Sequence, residues 1–122
     1  MRIYLAAKYS QMKEMQEVAK KLILAGHEIT SQWVWGKEGT VEQPEAAHMD
    51  VDDVLRAECV LLFTQPYGTS NKGGGRHFEF GLGYGSGKIC CFIGEKETIF
   101  QHLSDALQYK SLDEFIDTFA LV

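Results

Sequence analysis

Cys59-Val60-Leu61-Leu62-Phe63 is an unbroken apolar run, and a second one, Ile89-Cys90-Cys91-Phe92-Ile93, follows after a glycine-rich interval and a helical stretch. Runs this short and without polar alternation belong to strands covered on both faces, which is the habit of parallel sheets. The segment between them, Arg76 to Gly87, spaces its apolar residues as a helix does, so the unit reads strand, helix, strand. Its glycines, Gly81, Gly83, Gly85 and Gly87, each cost a helix interior up to about 1 kcal/mol relative to alanine. Close approach of this helix to the sheet beneath it is the compensation we expect.

The same alternation extends outward in both directions. Arg2 to Ala6 reads as a first strand, and Ser10 precedes a helix carrying Met12, Met15, Val18, Ala19, Leu22 and Ile23 at helical spacing. Ser10 is the expected N-cap, and Gly26 falls where a left-handed C-terminal cap belongs. His27 to Trp35 is rich in β-branched and aromatic residues and reads as a second strand. Pro44 suits the first turn of a helix with Ala47, Val51, Val54 and Leu55 on one side, ending near Glu58. After Ile93 come a helical patch at Ile99 to Leu103 and a weak strand at Leu107 to Tyr109. A capping-box pair, Ser111 and Glu114, then opens a last helix with Phe115, Ile116 and Phe119 on its apolar side. The whole predicts one domain, residues 1–122: α/β, a single doubly wound five-stranded parallel sheet, Rossmann/flavodoxin-like, with helices on both faces.

Composition agrees. The 122 residues are 45% hydrophobic and 24% charged, near the average of globular chains. No apolar run approaches the roughly 18 residues of a membrane span, and Arg2 and Lys8 interrupt the start too soon for a secretory signal. A net charge of -5 argues against a nucleic-acid polymer or an anionic membrane as partner. Cys59, Cys90 and Cys91 lie inside apolar runs, so neither a disulfide framework nor a zinc site is indicated, and a cytoplasmic location follows. His27, His48 and His102 lack metal-ligand spacing. No metal and no cofactor is expected.

In doubly wound folds, ligands bind beyond the carboxyl ends of the strands. That brings the loops after Ala6 and after Phe63 together with the region of Asp50. Gly73-Gly74-Gly75-Arg76-His77-Phe78-Glu79-Phe80-Gly81 leads from the loop into a helix start, where free N–H groups and the helix dipole favour an anion. Gly74, Gly75 and Arg76 are the candidate phosphate holders, Arg76 as a bidentate clamp. The loop before them, Gln65 to Gly75, includes Gly68, Ser70, Asn71 and the basic Lys72.

Glu79 is the single acid in this basic stretch. Phe78 and Phe80 flank it, which favours partial desolvation and a raised pKa. It reads either as a nucleophile or as a surface glutamate favoured by the helix dipole. Asp50, Asp52 and Asp53 cannot all face one way: Asp50 and Asp53 share a helix face, and Asp52 is turned about 100° from Asp53. One of them beside Glu79 gives the carboxylate pair used to cleave acetal-like bonds, although a solvated acidic helix is the plain alternative. Tyr4 and Tyr9 bracket the first strand-to-loop junction, placed to stack on a base, to hydrogen-bond Glu79, or to fill core. Trp33 and Trp35 read as the floor of a base pocket or as packing. His77 lies about 200° around the helix from Glu79, which disfavours direct pairing.

Met1-Arg2-Ile3-Tyr4-Leu5-Ala6-Ala7, Asp50 with Ala57-Glu58 and the strand after it, Thr64-Gln65-Pro66, and Glu79-Phe80-Gly81 through Gly87-Lys88 occur in an order that resembles the nucleoside 2-deoxyribosyltransferase-like superfamily. That superfamily includes the 2′-deoxynucleoside 5′-monophosphate N-hydrolases. The resemblance implies cleavage of an N-glycosidic bond in a nucleoside or nucleotide, with Glu79 as nucleophile, Asp50 at the departing base and Tyr4 beside the nucleophile. It further implies substrate contacts at Ala6, Ser10, Gly74, Gly75 and Arg76, and assembly as a homodimer or larger homo-oligomer. A weaker resemblance to nucleotide phosphoribohydrolases points to the same bond.

The chain departs from that pattern in two places. The loop between Pro66 and Glu79 looks longer, and Gly-Gly-Gly-Arg-His stands where a short polar motif often precedes the glutamate. No carboxylate-bearing C-terminal tail of the transferase kind is evident, which favours hydrolysis over base exchange. A nucleotide-binding or sensing module is the alternative, and two carboxylates near the sugar argue against it. A flavin carrier is disfavoured because the glycine loop follows the third strand rather than the first.

Overall fold

The computed structural model describes residues 1–67 and 73–120. Gly68, Ser70, Asn71 and Lys72 of the expected loop lie outside the described residues. Five strands, β1 (Arg2–Ala6), β2 (Glu28–Ile29), β3 (Cys59–Phe63), β4 (Ile89–Ile93) and β5 (Ala106–Tyr109), form one parallel sheet in the order β2-β1-β3-β4-β5. The four helices are α1 (Met12–Leu24), α2 (Gln43–Arg56), α3 (Gly75–Gly85) and α4 (Leu112–Thr118). The chain steps one way from β1 to β2 and the other way from β2 through β3 to β4. Right-handed crossovers therefore put α2 and α3 on the face opposite α1, and α2 and α3 do pack against each other. The expected doubly wound α/β architecture is the one found.

Every residue of β3 is buried, as its unbroken apolar composition requires. Registers Ile3 to Cys59 and Phe63 to Ile93 align the carboxyl ends of β1, β3 and β4 along one edge. The reversal of strand order between β1 and β3 opens a crevice there. The core is Ile3, Leu5, Leu22, Leu61, Phe92 and Phe115 with their neighbours, all inaccessible to water.

Three local expectations need correction. The run His27 to Trp35 is not one strand: β2 ends at Ile29, and Gln32–Trp35 form a 3-10 turn. Polar side chains end the ladder. Ser31 Oγ accepts from Leu5 N (3.1 Å), Thr30 Oγ1 donates to the Asp53 carbonyl (2.8 Å), and the Gln32 N–H goes to Asp53 Oδ2 (2.9 Å). Ser10 is not the cap of α1, because the chain first makes a 3-10 turn at Tyr9–Gln11 and Gln11 takes the cap position. On α2 the buried positions are Asp53 and Val54, while Leu55 is exposed.

Gly83 answers the expectation about glycines in α3. A Cβ there would stand 2.5 Å from Val60 Cγ2 of β3, whereas Gly81 and Gly85 have open space. One glycine of the set allows the close approach, and the others are not needed for it. Ser111 caps α4 as expected, its Oγ accepting from Glu114 N at 3.1 Å.

Candidate active site

A cleft of about 160 Å³ lies at the crevice between β1 and β3. Its walls come from four places in the chain: Ala7, Lys8 and Tyr9 after β1; Trp33 and Glu38 from the turns after β2; Asp50 from α2; and Gly73, Gly75, Arg76 and Glu79 at the start of α3.

Tyr4 is fully buried in β1, on the side that faces α3, and its hydroxyl donates to Glu79 Oε2. Glu79 is 9% exposed. Burial pushes its carboxyl up to about 8; the Tyr4 hydrogen bond works against that rise, while Glu38 and Asp53 add to it. Burial and the neighbouring carboxylates raise the Tyr4 phenol far out of the physiological range, so it acts only as a donor. Asp50 is pushed up to about 9 by burial first, then by its hydrogen bond and charge contact with Glu38, with Glu79 contributing. Both carboxyls are thus held well above the usual carboxylate range within one cleft, burial being the first cause in each case.

Asp53 is the support. Its buried carboxylate takes the Gln32 N–H, Gln32 Nε2 (3.0 Å) and the Arg56 guanidinium, which anchors the Trp33 turn to α2. Trp33 Nε1 donates to the Leu5 carbonyl at 2.8 Å, and its ring lies 6.2 Å from Tyr9 with a 35° tilt. Two aromatic rings thus wall the cleft near Glu38 and Asp50. Trp35 is exposed and takes no part.

Arg76 requires a correction. It borders the cleft, but its guanidinium is 2% exposed and forks onto Glu97, Nη1 to Oε1 and Nη2 to Oε2 at 2.7 Å each. Burial works against ionisation of Glu97, yet the Arg76 fork and the Gln65 N–H hold it below the usual carboxylate range. The clamp expected for a phosphate is thus closed on an internal partner. Among the described residues Lys8 is the remaining basic residue at the cleft, and its Cγ sits 3.3 Å from where a Cβ on Gly73 would be. Gly73 has φ +83°, a left-handed backbone that favours glycine there.

Of the other expected contacts, Gly75 lines the cleft, whereas Gly74 caps α3 without lining it. Ala6 is buried one residue short of it, and Ser10 is exposed outside it. His77 turns away from Glu79 to Arg76 and Glu97, as the helical angle required. Lys8, Glu38 and Glu97 carry no motif. Glu38 sits between Gly36 and Gly39, a turn signal that could have marked it as a loop acid near the site. Nothing in the sequence links Arg76 with Glu97 across 21 positions.

Two larger grooves lack this chemistry. One, of about 550 Å³, is apolar, lined by Phe78, Phe80, Tyr84, Phe100 and Leu103 with His77 and Gln101. The other, of about 630 Å³, runs along α2 past His48 and Asp52. No group of metal-ligating side chains occurs among the described residues. No helix among them is long and apolar enough to cross a membrane.

No family model matches the chain, and no curated protein matches it in sequence. Solved structures do. The chain shares its fold with the CMP N-glycosidase of Clostridium botulinum, at a TM-score of 0.62 and 17% identity over 97% of each chain. It also shares it with a 2-deoxyribosyltransferase from the psychrotolerant bacterium Bacillus psychrosaccharolyticus, at a TM-score of 0.72 and 16% identity, covering 96% of this chain and 91% of the other. At these identities the likeness is one of fold.

Proposed function

We propose that this chain is an enzyme that cleaves the N-glycosidic bond of a nucleoside or nucleoside 5′-monophosphate, passing the sugar to water in preference to a second base. The observation that carries the reading is the convergence of Glu79, hydrogen-bonded by Tyr4, with Asp50 in one cleft. That the two solved structures of like fold are a CMP N-glycosidase and a 2-deoxyribosyltransferase supports the same bond.

In this reading an oxygen of ionised Glu79 attacks the anomeric carbon as the carbon–nitrogen bond breaks, and Asp50 gives its proton to the departing base. Water then attacks the glycosyl-enzyme, Asp50 takes back a proton, and Glu79 leaves as carboxylate. Proton and charge balance over the cycle. The Tyr4 O–H holds Glu79 in position and favours its ionised form. Lys8 and the Gly73–Gly75 turn at the positive end of α3 receive the 5′ end, with Arg76 as an internal tie. A homo-oligomer, implied by the resemblance, has the exposed aromatic face of Phe78 and Phe100 available to it. Three cysteines free of disulfides suit a reducing, cytoplasmic setting.

The test is chromatographic. The protein is incubated with the eight common nucleoside 5′-monophosphates, alone and with a free acceptor base. Free base without acceptor supports hydrolysis, new nucleotide only with acceptor supports transfer, and neither product removes the enzymatic reading. Glu79→Gln is expected to lower turnover by about 10³-fold or more while the protein stays folded.

A further inference from the structure

The cleft is uneven in charge. Glu38, Asp50 and Glu79 put three carboxyls on its walls, and none of the three belongs to an ion pair among the described residues. Glu79 is hydrogen-bonded there only through Oε2, to Tyr4, and Asp50 Oδ1 is buried without a partner. The turn that carries Trp33 packs against both the Glu38 turn and α2, so two aromatic rings, Trp33 and Tyr9, stand with these acids. Of the bases at the cleft, Arg76 is matched by Glu97, and Lys8 sits beside Gly73 just before α3. Three carboxyls crowded into about 160 Å³ repel one another when ionised. A cation among them relieves that repulsion and favours the ionised Glu79 that attack requires. The face of an indole or phenol ring attracts a cation as well.

We propose that the preferred substrates of this cleft are nucleoside 5′-monophosphates whose base is itself a cation, pyridinium ribosides being the simplest class. The charged ring lies among Glu38, Asp50 and the two aromatic rings, and the phosphate lies at Lys8. This inference rests on the bond-cleaving reading above and names its substrate. A cationic base needs no proton to leave. An oxygen of Glu79 attacks the anomeric carbon, the carbon–nitrogen bond breaks, and its electron pair returns to the ring nitrogen. The base departs as a neutral pyridine, and the charges of carboxylate and pyridinium are extinguished together. Water then attacks the glycosyl ester, Glu79 leaves as carboxylate, and the proton that water gives up passes through Asp50 to solvent, one per turnover. Asp50 thus serves as counter-ion and then as base for such a substrate, whereas a neutral base requires it as an acid. Glu38 is a specificity residue that meets the charge of the ring.

The probe is the carbocyclic analogue of nicotinamide mononucleotide, which carries the same base and phosphate but resists cleavage, in its oxidised cationic and reduced neutral forms. Calorimetry on the wild-type protein is expected to give the cation a dissociation constant about tenfold or more below that of the neutral form. Glu38→Gln keeps the shape and removes the charge, so it is expected to bring the two forms within about threefold of each other. Melting curves verify that each variant is folded. Turnover is read with nicotinamide mononucleotide and cytidine 5′-monophosphate. Asp50→Asn is expected to cost kcat about 30-fold more on the cytidine substrate, which alone needs a proton from Asp50. Equal binding of the two forms, a preference unmoved by Glu38→Gln, or equal losses of kcat in Asp50→Asn overturns the cationic-base assignment. Base released from either substrate then leaves the bond-cleaving reading intact. A charge preference that Glu38→Gln abolishes, with no base released from either substrate, does the reverse. No preference and no release overturns both.

Discussion

At the scale of single residues the site is a set of protons held away from their usual pH. In the proposed reaction Glu79 must be ionised to attack, and burial pushes its carboxyl up to about 8; Asp50 must be protonated to assist the base, and burial pushes its carboxyl up to about 9. A profile of kcat/KM from pH 6 to 10 is expected to rise through the first value and fall through the second, and a maximum near pH 5 would sink the assignment of roles. Because the Tyr4 hydroxyl favours the Glu79 carboxylate, Tyr4→Phe should move the rising limb to higher pH, opposite to what a purely structural loss produces. Lys8 and Arg76 should separate cleanly. Lys8→Ala is expected to raise KM for 5′-monophosphates about tenfold or more over its effect on nucleosides, from the loss of one charge-assisted contact. Arg76→Ala should instead lower stability, by about 3–5 kcal/mol in denaturant melts, since it leaves Glu97 buried without its partner. Glu79, Asp50 and Tyr4 could be singled out because the pattern located β1, α2 and α3, the elements that carry them. Glu38 and Glu97 were not, because their significance lies in contacts across turns that carry no periodic signal.

At the scale of elements, β1, β3, β4 and all four helices could be read from apolar runs, helical spacing, Pro44 and the Ser111 cap. β2 could not be read to its full extent. Its β-branched and aromatic composition suits a strand, but Thr30, Ser31 and Gln32 have better partners in Leu5 and Asp53 than a neighbouring strand offers. Tertiary hydrogen bonds override propensity there, and the resulting 3-10 turn is what delivers Trp33 to the cleft. The glycines of α3 give the sharpest test at this scale. Gly83→Ala should cost about 1–3 kcal/mol, because its methyl collides with Val60 of the strand beneath. Gly81→Ala, with open space at its Cβ, should gain about 0.5–1 kcal/mol of helix propensity. Equal effects in thermal melts would mean that α3 does not lie against β3 as described.

At the scale of the whole molecule, the raised carboxyls set how stability responds to pH. The folded chain keeps protons on Asp50 and Glu79 that the unfolded chain releases near pH 4, so stability is expected to decline as pH rises from there through the folded values of about 8 and 9. Asp50→Asn removes part of that decline, and its melting temperature should exceed that of the wild type by more at pH 9 than at pH 5. The sheet order has a different kind of outcome. β1 lies in the interior of the sheet, between β2 and β3, and the Tyr4 that it carries meets a glutamate 75 residues further along the chain. During synthesis at roughly 5–20 residues per second, the ribosome needs about 4–15 s between adding one partner and the other. Both sheet neighbours of the first strand, β2 and β3, are made within that interval, but its tyrosine hydroxyl waits for its carboxylate until the end of it. The cleft is thus incomplete until α3 has emerged, because Gly73, Gly75, Arg76 and Glu79 supply one of its walls.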